Sequence, residues 1–223
     1  MEVIKVMMAK TERPERSARV NATRDLILST AERLFAERGV HEVSNRQIGE
    51  AAGQGNNTAV GYHFGTKTDL VRAIVHKHAV PVEERRRELI AELGAEPDVR
   101  DWVTILVRSA TDHMDSLGTP SWLARFSAQL MNDPSLREIQ QQESLSAPML
   151  QQVVEGLGEH LAELPPAVRI ERGDMARHLI IQMTAEFERA LAEGRPTARA
   201  SWQEMADGLI DGIVGLLTAP VTG

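Results

Sequence analysis

The residues best suited to hydrogen-bond a structured partner lie between Ser44 and Lys67. Asn56, Asn57, Thr58, Tyr62 and His63 follow Arg46 and Gln47 within a short stretch. An Asn amide pairs in a bidentate way with adenine, and a Thr methyl contacts thymine. Asn-Asn alone is ordinary turn chemistry, so the meaning of the set depends on the elements that carry it. Ser44 and Gln47, three positions apart, form an S-x-x-Q capping box that opens a helix. Ile48, Ala51 and Ala52 supply its apolar face, and Gly53 ends it where a left-handed residue costs little. The spacing predicts a second helix from about Asn56 to Phe64. Two short helices joined by a glycine turn are how a helix-turn-helix sets its second helix in a major groove. The pattern points to sequence-specific contact with double-stranded DNA.

Other chemistries find little support. With no cysteine there is no thiolate nucleophile, disulfide or Cys-ligated zinc. The rings of His76-x-His78 point to different sides of a helix, and the i, i+4 histidine pair with an intervening Glu does not occur, so no metal site is expected. Gly53-x-Gly55 lacks the preceding strand that a phosphate loop needs. No Ser/His/Asp or paired-carboxylate arrangement stands out, so no enzyme and no cofactor are expected. Arg85-Arg86-Arg87, flanked by Glu83, Glu84 and Glu88, reads as an ion-paired helix surface.

The positioning elements are helical. Apolar residues make up 42% of the 223 residues and aromatic ones only 4%, with no alternating Val/Ile/Thr runs, which favours an all-α protein. Residues 1–20 show no helical stripe and read as a flexible arm. A first helix is expected over Ala22–Arg38, on Leu26, Ile27, Ala31, Leu34 and Phe35, with Gly39 ending it. Thr66-x-x-Asp69 is a second capping box, opening a helix that Pro81 interrupts or kinks. Further helices are expected over about Asp98–Leu117, Pro120–Met131, Pro134–Leu164 (disturbed at Pro148), Ala167–Glu193 and Ala200–Thr218. The expected domains are 1–20, 21–66 and 67–223.

The net charge of −7 is unevenly spread: residues 1–80 hold 12 Lys and Arg against 9 Asp and Glu, whereas residues 81–223 hold 13 against 23. A basic amino-terminal module on an acidic body suits nucleic-acid binding. No apolar run approaches the ~20 residues that span a bilayer, and Met1–Met8 is too short for a signal peptide. No membrane partner and a cytoplasmic location are therefore expected.

Several runs then resemble the TetR family of bacterial transcriptional regulators. They are Thr23-Arg24-Asp25-Leu26-Ile27-Leu28, Leu34-Phe35-Ala36-Glu37-Arg38-Gly39, Ile48-Gly49-Glu50-Ala51-Ala52-Gly53 and Tyr62-His63-Phe64-Gly65-Thr66-Lys67. The resemblance covers about residues 20–75, and the chain is similar to members with Asn-Asn before Tyr-His-Phe-Gly. It departs in having eleven residues from Gln54 to Phe64 where the commonest pattern has ten.

By position, the resemblance implies phosphate contacts from Thr23 and Lys67 at helix N-termini, and from Tyr62 and His63. It implies phosphate or base-edge contacts from Arg46 and Gln47 beside Ser44, and base contacts from Asn56, Asn57 and Thr58. It further implies a homodimeric regulator, expected to be a repressor, whose acidic domain binds a small hydrophobic effector. Trp102, Met114, Trp122, Phe126, Met149, Met183 and Phe187 are the candidate ligand residues. Apolar stripes of that kind are more often ordinary core. Met175, Leu179, Met183 and Phe187, with Leu209, Ile213 and Leu216, form stripes expected at a dimer interface on the last two helices. The rival is a helical ligand-binding protein or enzyme without DNA activity.

Overall fold

The structure is a computed structural model that describes residues 2–54 and 58–221, with side chains at residue 18 and from residue 20 onward. Among these residues every regular element is an α-helix: α1 Glu2–Arg38, α2 Asn45–Ala51, α3 Ala59–Phe64, α4 Lys67–Ala91, α5 Val99–Ser116, α6 Leu123–Asn132, α7 Pro134–Leu145, α8 Pro148–His160, α9 Pro166–Ala192 and α10 Trp202–Thr218. The chain forms two compact units, Met1–Ile74 and Val75–Gly223, divided within α4. The expected division at residue 66 falls earlier, at the start of the same helix.

In the first unit α1 begins well before Ala22, and the stretch expected as an arm is helical from Glu2. Glu, Lys, Met, Ala and Arg dominate that stretch, and extending an existing helix costs no second nucleus. Ile27, Leu28, Ala31, Leu34 and Phe35 form the buried face of α1, whereas Leu26 is exposed. Gly39, at φ 91°, takes the left-handed conformation that ends α1. Ile48 of α2, Val60 of α3 and Leu70 and Ile74 of α4 complete a fully buried core.

In the second unit α10 packs on α5 and α9, and α6 lies along α9. Val103, Val107, Ala206, Ile210 and Ile213 are central to the main core. Asp133 caps α7, its Oδ1 accepting from the Ser135 N–H at 2.8 Å, with Pro134 in the first turn. The segment expected as one helix disturbed at Pro148 is two helices, with Pro148 opening the second. Pro81 neither ends nor splits α4, which runs through it to Ala91, although proline has no N–H to donate to the preceding turn. Helix α6 starts at Leu123, later than the expected Pro120.

Candidate functional site

The helix-turn-helix is built from local bonds. The Ser44 Oγ accepts from the Gln47 N–H at 3.2 Å, and Gln47 Oε1 accepts from the Ser44 N–H at 2.7 Å, the reciprocal box expected at α2. The turn bends at Gly53, whose φ is 65°, and the Gln54 N–H donates back to the Gly49 carbonyl at 2.9 Å. Helix α3 begins at Ala59 with exposed Thr58 as its N-cap residue. Asn56 and Asn57, the expected base-reading pair, lie outside the described residues. Arg24 holds α3 to α1 by placing its guanidinium carbon 4.8 Å from the Phe64 ring centroid.

The other candidate side chains differ in how they are held. Tyr62 is 83% exposed, its ring edge-on to half-buried His63 at 5.1 Å between centroids. Lys67 opens α4, where amide dipoles favour an anion, but its Nζ also donates to the Val40 carbonyl at 3.2 Å. Thr23 lies half-buried inside α1, so it has no helix N-terminus beside it; the long α1 corrects that expectation. Arg46 is exposed and pairs with Glu50 at 2.8 Å, a bond that raises its pKa. Gln47 commits its carbonyl oxygen to the cap, leaving its amide group as the donor toward a partner. The Thr66–Asp69 box is also formed, with the Thr66 hydroxyl donating to Asp69 Oδ2 at 2.6 Å.

In the second unit the seven expected ligand residues do not form one wall. Trp102 belongs to a small cluster with Ile105 and Val153. Met114 and Phe187 are in the main core, where Phe187 stands edge-on to Trp202 at 4.9 Å. Phe126 is buried, Trp122 and Met149 are half-buried, and Met183 is exposed. The expected interface stripes are similarly split. Phe187, Leu209 and Ile213 are buried in the unit's own core, because they lie on the helix faces that α5, α9 and α10 turn toward one another. Met175, Leu179 and Met183, with Ile170 and half-buried Leu216, instead line an open groove on α9 and α10.

Three polar arrangements lie outside the expected binding residues. Glu188 is buried and accepts from Ser121 Oγ and the Ala124 N–H through Oε1, and from the Arg125 N–H and Nε through Oε2, at 2.9–3.1 Å. It thereby caps α6, whose own N-cap residue Trp122 offers no side-chain bond. His78 Nδ1 meets His113 Nε2 at 2.9 Å, and His76 turns away to Glu143. The arginine triplet divides: Arg85 pairs with Glu88 and Asp112, and Arg87 with Glu84, but Arg86 is buried beside Glu83. The expected ion-paired surface therefore holds for two of the three.

No helix among the described residues is long and apolar enough to cross a membrane. No curated protein matches the chain significantly. Among solved structures, AmtR of Mycobacterium smegmatis is similar at 20% identity and a TM-score of 0.59, over 89% of this chain and 87% of that one. PfmR of Thermus thermophilus, a TetR family transcriptional regulator, is similar at 15% identity and 0.54, over 88% and 99%. AibR, solved with isovaleryl coenzyme A and operator DNA, is similar at 19% identity and 0.52, over 89% and 100%. Residues 27–74 match the model of the bacterial regulatory proteins of the tetR family, and the fold is shared with the solved structures above.

Proposed function

We propose that this protein is a sequence-specific DNA-binding transcriptional regulator, a dimeric repressor released from a palindromic operator by a small ligand. The observation that carries the reading is the helix-turn-helix of α2 and α3, which leaves Tyr62 exposed beside Arg46, Gln47, Thr58 and Lys67 within the family-matched residues. Ser44 orients α2, Asn56 and Asn57 are the base-reading candidates of the Asn-Asn subgroup, and Thr23 and His63 are additional backbone contacts. One short recognition helix offers few base contacts, so two copies are needed for a specific site. The exposed apolar face of α9 and α10 supports pairing through Met175, Leu179 and Met183. Release requires the effector to bind the DNA-incompetent form more tightly.

Selection from random duplexes at moderate salt tests the reading. The expected result is an enriched inverted repeat whose half-sites are about one or more helical turns apart. Recovery of no motif, with only salt-sensitive uniform binding, would refute it.

A further inference from the structure

Helix α4 carries a guanidinium in an almost dry position. Arg86 is 7% exposed, and its Nη1 donates to Glu83 Oε2 one turn earlier. The other Glu83 oxygen accepts from the Met149 N–H in the first turn of α8. Arg86 Nε is sealed from solvent and has no partner among the described residues. A second such donor stands on α5: Trp102 Nε1, on a side chain 8% exposed, is also sealed and without a partner among them. Buried N–H groups in folded proteins nearly always have an acceptor, and leaving one without forfeits its hydration.

The two donors belong to one layer of the second unit. Glu83 meets α8 at Met149, while Leu89 and Ile90 of α4 pack with Trp102, Val153 and Leu157. Arg86 lies between those two levels on α4. Gly156 brings the α8 backbone flat against the indole, where a Cβ would sit 2.3 Å from Trp102 Cε2. The residues clustered with Trp102, which include Ile105, Leu106 and Val153, are apolar.

We propose that this layer is the effector site, and that the effector is a carboxylic acid with an apolar body whose carboxylate accepts from Arg86 Nε and Trp102 Nε1. The identification as an effector rests on the regulator reading; the ligand class rests on the two donors. An ionised carboxylate brings only acceptors and matches a guanidinium edge. A neutral amide would bring two N–H donors to a layer whose acceptor, Glu83, is already engaged through both oxygens. The Leu, Ile and Val side chains around the donors suit a hydrocarbon body. Because both nitrogens are sealed, binding must part α8 from Trp102.

Calorimetric titration of the full chain, without DNA, with straight-chain carboxylates from butanoate to dodecanoate and their primary amides tests this. At least one acid should bind, with its amide about tenfold weaker or worse. Trp102→Phe keeps the ring and should weaken the acid several-fold, and Arg86→Met should abolish binding. If Arg86→Met does not fold, Trp102→Phe decides. Failure of every acid to bind, equal binding of acid and amide, or unchanged binding by Trp102→Phe would overturn the proposal. A chain that selects an operator but binds no acid refutes this site alone; one that binds acids but no operator refutes the regulator reading alone.

Discussion

Tyr62 offers the sharpest test at the residue scale, since a ring so exposed contributes little to the core of its own unit. Tyr62→Phe is expected to leave the unfolding midpoint unchanged and to weaken operator binding by about 0.5–1.5 kcal/mol, the worth of one hydrogen bond. Fluorescence anisotropy with the selected operator reads the affinity, and equal affinities would remove the hydroxyl from the interface. Asp69 supplies a pH test. The Thr66 hydroxyl and N–H donate to its carboxylate and hold its pKa below the usual aspartate value. A depressed folded pKa means stability that is present above the unfolded value and lost as pH falls through the folded one. The loss should therefore begin below about pH 4. Carboxyl carbon shifts followed by NMR should show Asp69 titrating below an unstructured aspartate, and Asp69→Asn should remove its share of the acid sensitivity.

At the scale of elements, two helices depend on residues far away in sequence. Glu188 of α9 caps α6 and neutralises half-buried Arg125, so Glu188→Ala leaves a cation without its counter-charge, held only by the Ser121 carbonyl, and two amides without their acceptor. Breaking such a buried pair costs about 3–5 kcal/mol, and Glu188→Gln should recover part of this by retaining an acceptor oxygen. Urea denaturation of both variants measures the difference; a loss below about 1 kcal/mol for alanine would show that water replaces the cap. Gly156 tests the contact of α8 with α5. A methyl there meets the indole rather than a mobile chain end, so Gly156→Ala should destabilise the chain by about 1–3 kcal/mol through overpacking, despite alanine's better helix propensity. A stabilised variant would mean that Trp102 has room to turn aside.

For the whole molecule, burial separates two kinds of apolar residue on α9 and α10. Leu179→Glu with Met183→Glu changes side chains that are 39% and 49% exposed, so the pair should produce folded monomers that lose operator affinity. Sedimentation velocity and circular dichroism together check both halves of that expectation, and persistence of the dimer at low concentration would exclude this face. Leu209→Glu should instead unfold the chain, because Leu209 is 7% exposed and a buried carboxylate without a partner is costly. The uneven charge also has a consequence. The acidic residues 81–223 repel phosphate, so operator binding should weaken steeply with salt only to the extent set by cations of the first unit, and Lys67→Ala should lower the salt slope by about 1.

Capping boxes and turn glycines were legible in the sequence because each is a contract between residues no more than a few positions apart, whereas Pro120 and Pro148 did not mark the boundaries expected of them. Ser44 with Gln47, Thr66 with Asp69, Asp133 before Pro134 and the left-handed Gly53 all rest on backbone geometry that neighbours alone dictate. The start of α1 was not legible, because a stretch of good helix formers without an apolar stripe is committed only by the helix it extends. Which apolar stripe becomes core was decided by tertiary structure: α9 and α10 are apolar on more than one face, and periodicity does not say which face meets α5. The same holds for the burial of Glu188, Arg86 and Trp102, which depends on helices that meet only after folding. Local hydrogen bonds are written in sequence order, whereas burial is a property of the packed whole.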